Sequence, residues 1–227
     1  MTFNGYVVRG IPKEQTHEWL LKKHYAHRIP SITWAFGLYD NKELVGVCCY
    51  GTPSSSPLRT GVCGGQYSNI VIELNRLVLQ NNKKNEASYF ISKTLSLLSK
   101  PSIIISYSDT SHHHSGYIYQ ACNFLYTGLS AKRTDWKVKG LEHLHGQTIA
   151  DISRGHEKRA DYMREMYGED FYLEDRPRKH RYIYFLGSKK EKKEMLANLR
   201  YPIEPYPKGD NENYDASYQP KIQGVLI

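Results

Sequence analysis

The chain has 227 residues, 40% of them hydrophobic, and its 31 Lys and Arg outnumber 23 Asp and Glu to give a formal net charge of +8. A chain of this length and composition can bury a core of its own. It has no apolar run near the roughly 20 residues of a membrane helix and no signal-peptide pattern, so we expect a cytoplasmic protein. Its four cysteines show no CxxC spacing, which favours buried free thiols over a metal centre.

The first part of the chain predicts a strand, a helix and a hairpin. The helix follows Pro12 and must end before Pro30, because the residue before a proline disfavours helical backbone. His24 and Tyr25 come directly after this helix, on a loop held by a rigid element. The predicted elements are a strand over 5–10, a helix over 13–23, strands over 34–39 and 44–50, and a long surface loop over 51–68.

A unit of strand, loop, helix and strand follows. Apolar residues run almost unbroken from Ile70 to Leu79, as in a strand covered on both faces. A helix over 86–98 and a second buried strand over 103–107 complete the unit, so its two strands should be parallel. The spacing of Glu73 and Arg76 predicts that these two charges point to opposite faces of the first strand. Each would need its own partner or substrate, because a lone buried charge is costly.

The second half of the chain predicts a short helix, a strand, an insertion, and then a final strand and helix. We expect one domain over 1–207, with an insertion at about 131–179, and a disordered polar tail over 208–227. The predicted elements are a helix over 116–122, a strand over 124–128, a helix around 157–167 inside the insertion, a strand over 181–186 and a helix over 189–199.

Positive charge is concentrated at the end of the insertion. Eight Lys or Arg and a single acid lie between Arg176 and Lys193. This density favours contact with the phosphates of DNA, although a solvated strand start would give the same pattern. The candidate DNA contacts are Lys132, Arg133, Lys137, Arg176, Arg178, Lys179 and Arg181.

Six ordered motifs carry a resemblance to a known family. They are His24-Tyr25, Glu73 to Leu77, Ser106 to Asp109, His114 to Tyr117, Tyr119 to Phe124 and Arg176 to Arg181. Over residues 13–207 the chain resembles the Mom family of bacteriophage DNA-modification proteins, within the GNAT acyltransferase superfamily. The resemblance implies an α/β (α+β) fold, with a GNAT-like mixed central sheet flanked by helices and a basic lobe inserted before the last strand.

The same resemblance implies an activity. A member of this family would be a transferase that converts adenine in double-stranded DNA to N6-carbamoylmethyladenine, which protects phage DNA from host restriction. The adenine would be extruded from the duplex and stacked on Tyr25, Trp34 or Tyr107. The competing interpretations are a conventional N-acetyltransferase acting on a small-molecule or protein amine, and a DNA-binding protein with an inactive acyl site.

The resemblance also assigns roles to individual residues, for each of which ordinary packing or a structural ion pair is the alternative. The loop from Asn82 to Ala87 matches the acyl-CoA pattern Gln/Arg-x-x-Gly-x-Gly/Ala, except that Asn82 and Asn85 replace the usual first residue and glycine. Asn tolerates the positive φ of such a turn, and the helix after it favours an anion. The candidate donor contacts are Leu77, Leu79, Asn82, Lys83, Lys84, Asn85, Ala87, Ser88 and Ser106. The candidate catalytic residues are His24, Tyr25, Glu73, Arg76, Asp109 and Tyr119.

The chemistry of the product leaves the donor open. In a carbamoylmethyl group N6 is bonded to a CH₂ carbon, whereas acetyl transfer from acetyl-CoA would bond N6 to the carbonyl carbon. One solution is a redox metal such as iron that activates the methyl carbon of acetyl-CoA, with His24, Glu73, Asp109 and His114 as candidate ligands. The other is an aminoacyl donor, such as a glycyl group, that already contains the N–CH₂–CO unit. We treat His112 and His113 as part of a solvated loop.

Overall fold

The computed structural model describes residues 5–53, 55–110, 114–144 and 146–208. Its strands are β1 (Tyr6–Gly10), β2 (Trp34–Asp40), β3 (Glu43–Gly51), β4 (Val71–Leu79), β5 (Ser102–Asp109), β6 (Leu125–Leu129), β7 (Arg133–Val138), β8 (Phe171–Arg176) and β9 (Lys179–Leu186). Its helices are α1 (Glu14–Glu18), α2 (Ser56–Cys63), α3 (Glu86–Leu97), α4 (Tyr117–Ala121), α5 (Gly146–Ile152), α6 (Arg159–Tyr167) and α7 (Lys189–Ala197). Helix α1 continues into a π-helical turn over Trp19–Lys23.

Seven strands form a mixed sheet in the order β1-β2-β3-β4-β5-β9-β6. Strands β4 and β5 run parallel and are connected through α3, whereas the other neighbouring pairs are antiparallel. The predicted parallel pair is therefore confirmed, together with the α+β class and its mixed sheet flanked by helices. The last strand, β9, lies between β5 and β6.

Both faces of this sheet are covered, which explains why its central strands are apolar almost throughout. On one face Leu74 and Ile104 join a buried cluster with Phe90 and Ile91 of α3. On the other face Ile103 and Ile105 pack with residues of α2 and α7, and a third cluster adds the helix that begins with α1. Alternate residues of one strand therefore bury against different layers, as a strand between two helical layers must.

The parallel pair separates part-way along its length. Pairing between β4 and β5 runs from Val71 opposite Ile103 to Glu73 opposite Ile105, and their later residues diverge. At this fork the buried Ser106 hydroxyl donates to the carbonyl of Leu74 at 2.8 Å. Each strand remains paired with its outer neighbour beyond the fork, β4 with β3 and β5 with β9. The gap is therefore a stable opening between two supported strands.

A β-bulge in β4 corrects the prediction that Glu73 and Arg76 face opposite ways. Tyr50 of β3 lies opposite Leu74 and Cys49 lies opposite Arg76, so Asn75 is an extra residue in β4. An extra residue reverses the alternation of side chains beyond it. Glu73 and Arg76 consequently both line one cleft, a result that spacing alone could not give.

Residues 130–178 form a separate compact unit within the described chain, and residues 5–129 with 179–208 form the other. In the smaller unit β7 and β8 pair antiparallel from Arg133 opposite Arg176 to Val138 opposite Phe171. Its core is built on the buried side chains of Val138, Ile149 and Met163. This segment holds ten Lys or Arg and ten Asp or Glu, so its charges balance and the expected basic character of the insertion is not found.

Two other predictions meet a different outcome. The segment expected to be a surface loop over 51–68 contains α2, whose N-cap Ser55 accepts a hydrogen bond from the amide of Leu58 at 3.1 Å. Pro57 sits in the first helical turn, where proline is well tolerated, so the Pro and Ser were a helix start rather than loop residues.

The tail expected to be disordered lies outside the described residues after Lys208. In the part that is described, no helix is long and apolar enough to cross a membrane.

Candidate active site

The opening between β4 and β5 is a cleft of about 550 Å³. Its walls come from β4, the loop before α3, the end of β5, α4 and the start of β9. All six candidate catalytic residues line this cleft, as do the candidate donor contacts except Ser106, which is buried at the fork. Trp34 packs against the main core and is not one of the lining residues, whereas Tyr25 and Tyr107 are.

Glu73 and Arg76 stand side by side at the fork because of the bulge. Burial raises the pKa of Glu73, and the positive charges of Arg76 and Lys179 oppose that shift. Burial lowers the pKa of Arg76, while Tyr25 and Glu73 favour its charged form. Each group therefore reduces the cost of burying the other.

The guanidinium of Arg76 is only partly satisfied. One of its terminal nitrogens donates to the Asn75 carbonyl at 2.6 Å. Its buried Nε has no hydrogen-bond partner among the described residues. A buried donor without a partner costs about 1–3 kcal/mol, and a ligand oxygen entering the cleft would remove that cost.

His24 and Tyr25 form one stacked pair on the loop after α1. Their ring centroids are 4.3 Å apart at an interplanar angle of 29°. The amide of Ala26 donates to His24 Nδ1 at 3.0 Å, so Nδ1 acts as an acceptor and the proton of the neutral ring lies on Nε2. Burial raises the pKa of the Tyr25 hydroxyl; the charges of Lys179 and Arg76 lower it, and that of Asp109 raises it.

Asp109 and Lys179 form an ion pair on the other wall. They lie directly opposite each other in β5 and β9, with Lys179 Nζ 3.0 Å from Asp109 Oδ2. Lys179, which is also a candidate DNA contact, thus lines the wall of the cleft.

Tyr119 lies deep in the cleft, on α4. Burial raises the pKa of its hydroxyl strongly, and a hydrogen bond with Ser106 opposes the shift. Its ring packs on Phe124 and Tyr182, with centroids 5.5 and 5.2 Å away. The phenol is therefore protonated at neutral pH and is available as a proton donor.

The loop before α3 has the shape of an anion site. Asn85, at the position of the usual glycine, adopts φ +65°, and Ala87 and Ser88 lie in the first turn, where amides lack partners within the helix. Sequence reasoning missed the role of Glu86, which is fully buried beneath this loop. Its carboxylate accepts from the Tyr6 hydroxyl at 2.7 Å and from the Lys83 amide at 2.8 Å. An acid at the start of a helix was the signal that could have found it.

The candidate metal ligands do not assemble into a metal site. His24, Glu73, Asp109 and His114 all line the cleft. Among the residues that the structure describes, however, no group of three or more His, Cys, Asp or Glu could hold a metal ion. His112 and His113 lie outside the described residues.

Arg181 is a correction among the candidate DNA contacts. It is only 9% exposed, because its guanidinium donates to the hydroxyl of Thr127 at 2.9 Å and to the Thr127 carbonyl at 2.6 Å. It also lies 3.4 Å from the ring centroid of Tyr201. Arg181 is a structural residue that ties β9 to β6, and strand register could not have shown this.

The remaining DNA candidates lie in the smaller unit and differ in accessibility. Lys132 and Arg133 are exposed. The other three have internal partners: Arg176 pairs with Asp135, Lys137 pairs with Glu174 at 3.4 Å, and Arg178 donates to the Ser130 carbonyl at 2.6 Å. Exposed ion pairs are weak, so Arg176, whose side chain is 43% exposed, can exchange its partner at low cost.

Comparison with known proteins gives a match along nearly the whole chain. Residues 5–208 match the Mom protein family. The chain belongs to the Mom protein family. Methylcarbamoylase mom from Escherichia phage Mu is 28% identical to this chain over 216 residues, covering 90% of this chain and 86% of the phage Mu protein.

Solved structures that are similar to this Mom family chain include three acetyltransferases. An N-acetyltransferase from Staphylococcus aureus Mu50 is 13% identical with a TM-score of 0.42, covering 80% of this chain and 98% of its own. A putative acetyltransferase from Salmonella typhimurium with its cofactor acetyl-CoA is 9% identical with a TM-score of 0.43, covering 82% and 96%. The ribosomal-protein-S5-alanine acetyltransferase from Vibrio fischeri is 11% identical with a TM-score of 0.45, covering 83% and 97%.

Proposed function

We propose that this chain is a DNA-modifying transferase that places a carbamoylmethyl group on N6 of adenine in double-stranded DNA. The observation that carries the proposal is the cluster of Glu73, Arg76, Asp109 and Lys179 around the fork of the sheet. The membership of the chain in the Mom family and its likeness to a methylcarbamoylase from phage Mu supply the class of reaction.

The substrate atom sets the demands on the site. Adenine N6 is a weak nucleophile because its lone pair is delocalised into the ring, and in a duplex it is paired. An enzyme that acts on it must extrude the base and hold it against a flat surface. A cleft of about 550 Å³ is large enough for one base beside a small donor, and Tyr25 and Tyr107 offer aromatic rings within it.

Formation of a bond from N6 to carbon requires that N6 lose one proton. Glu73 is suited to accept it, because burial raises the pKa of its carboxyl and makes the carboxylate a stronger base. Arg76 lies beside Glu73 and has a buried donor to offer to a ligand oxygen. Tyr119, protonated in its buried position, is suited to give a proton to a leaving group.

The loop before α3 fits the phosphates of an acyl donor. Its turn at Asn85 and the amides of Ala87 and Ser88 would hold them, and Leu77 and Leu79 of β4 would line the path towards the fork. To give a carbamoylmethyl group, acetyl-CoA would also require an oxidant for its methyl carbon and a nitrogen source for the amide, whereas a donor that already contains the N–CH₂–CO unit requires no oxidant. The cleft does not fit an iron ion, because the described residues offer no group of three His, Cys, Asp or Glu that could hold a metal.

Binding of acetyl-CoA separates the two donor classes that the product leaves open. Titration calorimetry of the purified protein with acetyl-CoA should show saturable binding that is lost when Ala87 is replaced by Asp, since a carboxylate there would repel phosphate. Absence of binding to the unmodified protein would remove acetyl-CoA and leave a donor that already contains the N–CH₂–CO unit.

The function itself is tested by expressing the chain in bacteria and analysing the nucleosides of plasmid DNA by mass spectrometry. We expect a deoxyadenosine whose mass is increased by one carbamoylmethyl group, and none with the R76A variant at the same protein level. Unmodified DNA that is nevertheless retained by the purified protein would support a binding role instead. An acetylated amine without any modified nucleoside would support a conventional N-acetyltransferase.

A further inference from the structure

Lys179 stands where two strands present opposite charges to the cleft. It is the first residue of β9, and it faces Asp109, the last residue of β5. Its ammonium lies 3.0 Å from the Asp109 carboxylate. The Asp109 side chain is 15% exposed and that of Lys179 is 41% exposed, so the pair lies on the wall and not on the open surface.

The backbone that carries Lys179 is held from both sides. Pairing between β5 and β9 continues without a break from Ser102 opposite Leu186 to the Asp109–Lys179 pair itself. On the other side the next residue, His180, shares a hydrogen bond of 2.9 Å with the Tyr126 hydroxyl of β6. The direction in which Lys179 points is therefore fixed by the sheet.

Two acidic and two basic side chains lie around the fork, one of each sign on either wall. Glu73 and Arg76 lie on β4, and Asp109 and Lys179 lie on the facing wall. Besides its contact with Asp109, Lys179 opposes the rise that burial causes in the pKa of Glu73 and in the pKa of Tyr25. Two acids in one half-buried cleft would repel each other without these cations.

We propose that Lys179 is a positioning residue of the reaction site: its ammonium, 3.0 Å from Asp109 Oδ2, keeps that carboxylate aimed into the cleft, where it accepts a hydrogen bond from the adenine amine as the amine attacks the donor carbon. The inference rests on the proposed function and adds a residue to it. From the sequence, Lys179 belongs to a basic run with Arg176, Arg178 and Arg181 that suggests contact with DNA. The inference gives this lysine a role in the cleft instead.

The test separates positioning from phosphate contact. Lys179→Met and Lys179→Arg would be compared with Lys93→Met, which removes an exposed lysine from α3. For each variant, the rate at which adenine becomes modified in plasmid DNA is measured at equal protein level. The dissociation constant for a DNA duplex is measured with purified protein by fluorescence anisotropy at several salt concentrations.

We expect K179M to slow modification by about a hundredfold, because a small misplacement of a reacting group can cost that much. Its duplex affinity should stay within about twofold of the wild type, and K179R should recover most of the rate because it restores the ion pair. K93M should match the wild type in both measurements.

A phosphate contact would behave differently. If Lys179 contacts phosphate, K179M would weaken duplex binding and reduce its salt dependence by about one counterion. The modification rate at high DNA concentration would stay unchanged. This result would overturn the inference. Equal loss of rate in K179M and K179R, with unchanged thermal unfolding, would also overturn it. If the wild type modifies no adenine, the proposed function itself fails, and that outcome is distinct from both.

Discussion

The two ends of the cleft are built by different means. At the fork, charged and aromatic side chains converge from β4, β5, β9, α4 and the loop after α1. At the other end, one continuous loop before α3 offers its main-chain amides, and its side chains mainly shape the turn. In the proposed function the fork is the reaction end, which depends on which side chains are present, and the loop is the donor end, which depends on its backbone conformation.

This difference predicts where substitutions should be felt. In the proposed function a side chain at the fork has a chemical task as well as several charged neighbours, so its loss should remove that task and also disturb the neighbours. At the loop, a substitution should matter only as far as it moves the amides. The largest effects of single changes should accordingly lie at the fork.

Replacing Arg76 or His24 by Ala should have the largest effect. Each change should reduce adenine modification by at least about a hundredfold, because each removes a group able to move a proton or to stabilise charge at the reaction end. The measurement is the modified fraction of deoxyadenosine in plasmid DNA at equal protein level.

Matched controls lie in the smaller unit. His143→Ala and Arg154→Ala remove an exposed residue of the same type and should keep wild-type activity. Circular dichroism should show native secondary structure for R76A and H24A. Wild-type levels of modification in both variants would show that the fork is not the reaction site.

A smaller effect is expected beneath the donor loop. Glu86→Ala should lower the free energy of unfolding by about 2 kcal/mol, because it leaves the Tyr6 hydroxyl and the Lys83 amide without their buried acceptor. Urea unfolding measures this change. Glu86→Gln keeps an acceptor oxygen and should lose clearly less stability; equal losses in both variants would mean that the acceptor is not what matters.

The smallest effect is expected at Asn85 itself. Its φ of +65° lies in the left-handed region, so Asn85→Ala should cost about 1 kcal/mol and Asn85→Gly should be close to neutral. Urea unfolding of the pair checks the prediction. If alanine and glycine behave alike, the loop adopts another backbone conformation, and the shape of the proposed donor site is wrong.

The fold was largely predictable because local patterns and burial agree in it. The unbroken apolar run of β4 indicates a strand between two layers, and the helix after it requires a parallel crossover. Helix α2 was missed because Ser55 and Pro57 favour a loop as readily as a helix start. The pairing of β7 with β8 was missed because its partners are 33 to 43 residues apart and because half of the residues in the two strands are charged.

The sequence could predict which residues belong to the candidate site, but it could not predict how they are arranged in space. Glu73, Arg76 and Asp109 are conspicuous as charges at the ends of apolar strands. The bulge at Asn75 leaves no signature in the side chains of β4, so the meeting of Glu73 with Arg76 could not be derived from spacing. Lys179 and Arg181 belong to one basic run, and only the sheet separates the residue on the cleft wall from the one in the interior.

The position of the smaller unit in the chain has a consequence for evolution and for engineering. Leu129 of β6 and His180 of β9 are cross-strand partners, so the chain leaves the main sheet and returns to it at the same point. In topological terms, residues 130–178 form the connection of a β-hairpin made by β6 and β9, and this connection is folded into a compact unit of its own. Since each doubling of a loop's length costs only about 0.6 kcal/mol, the length of this segment can be changed at little cost to the main sheet.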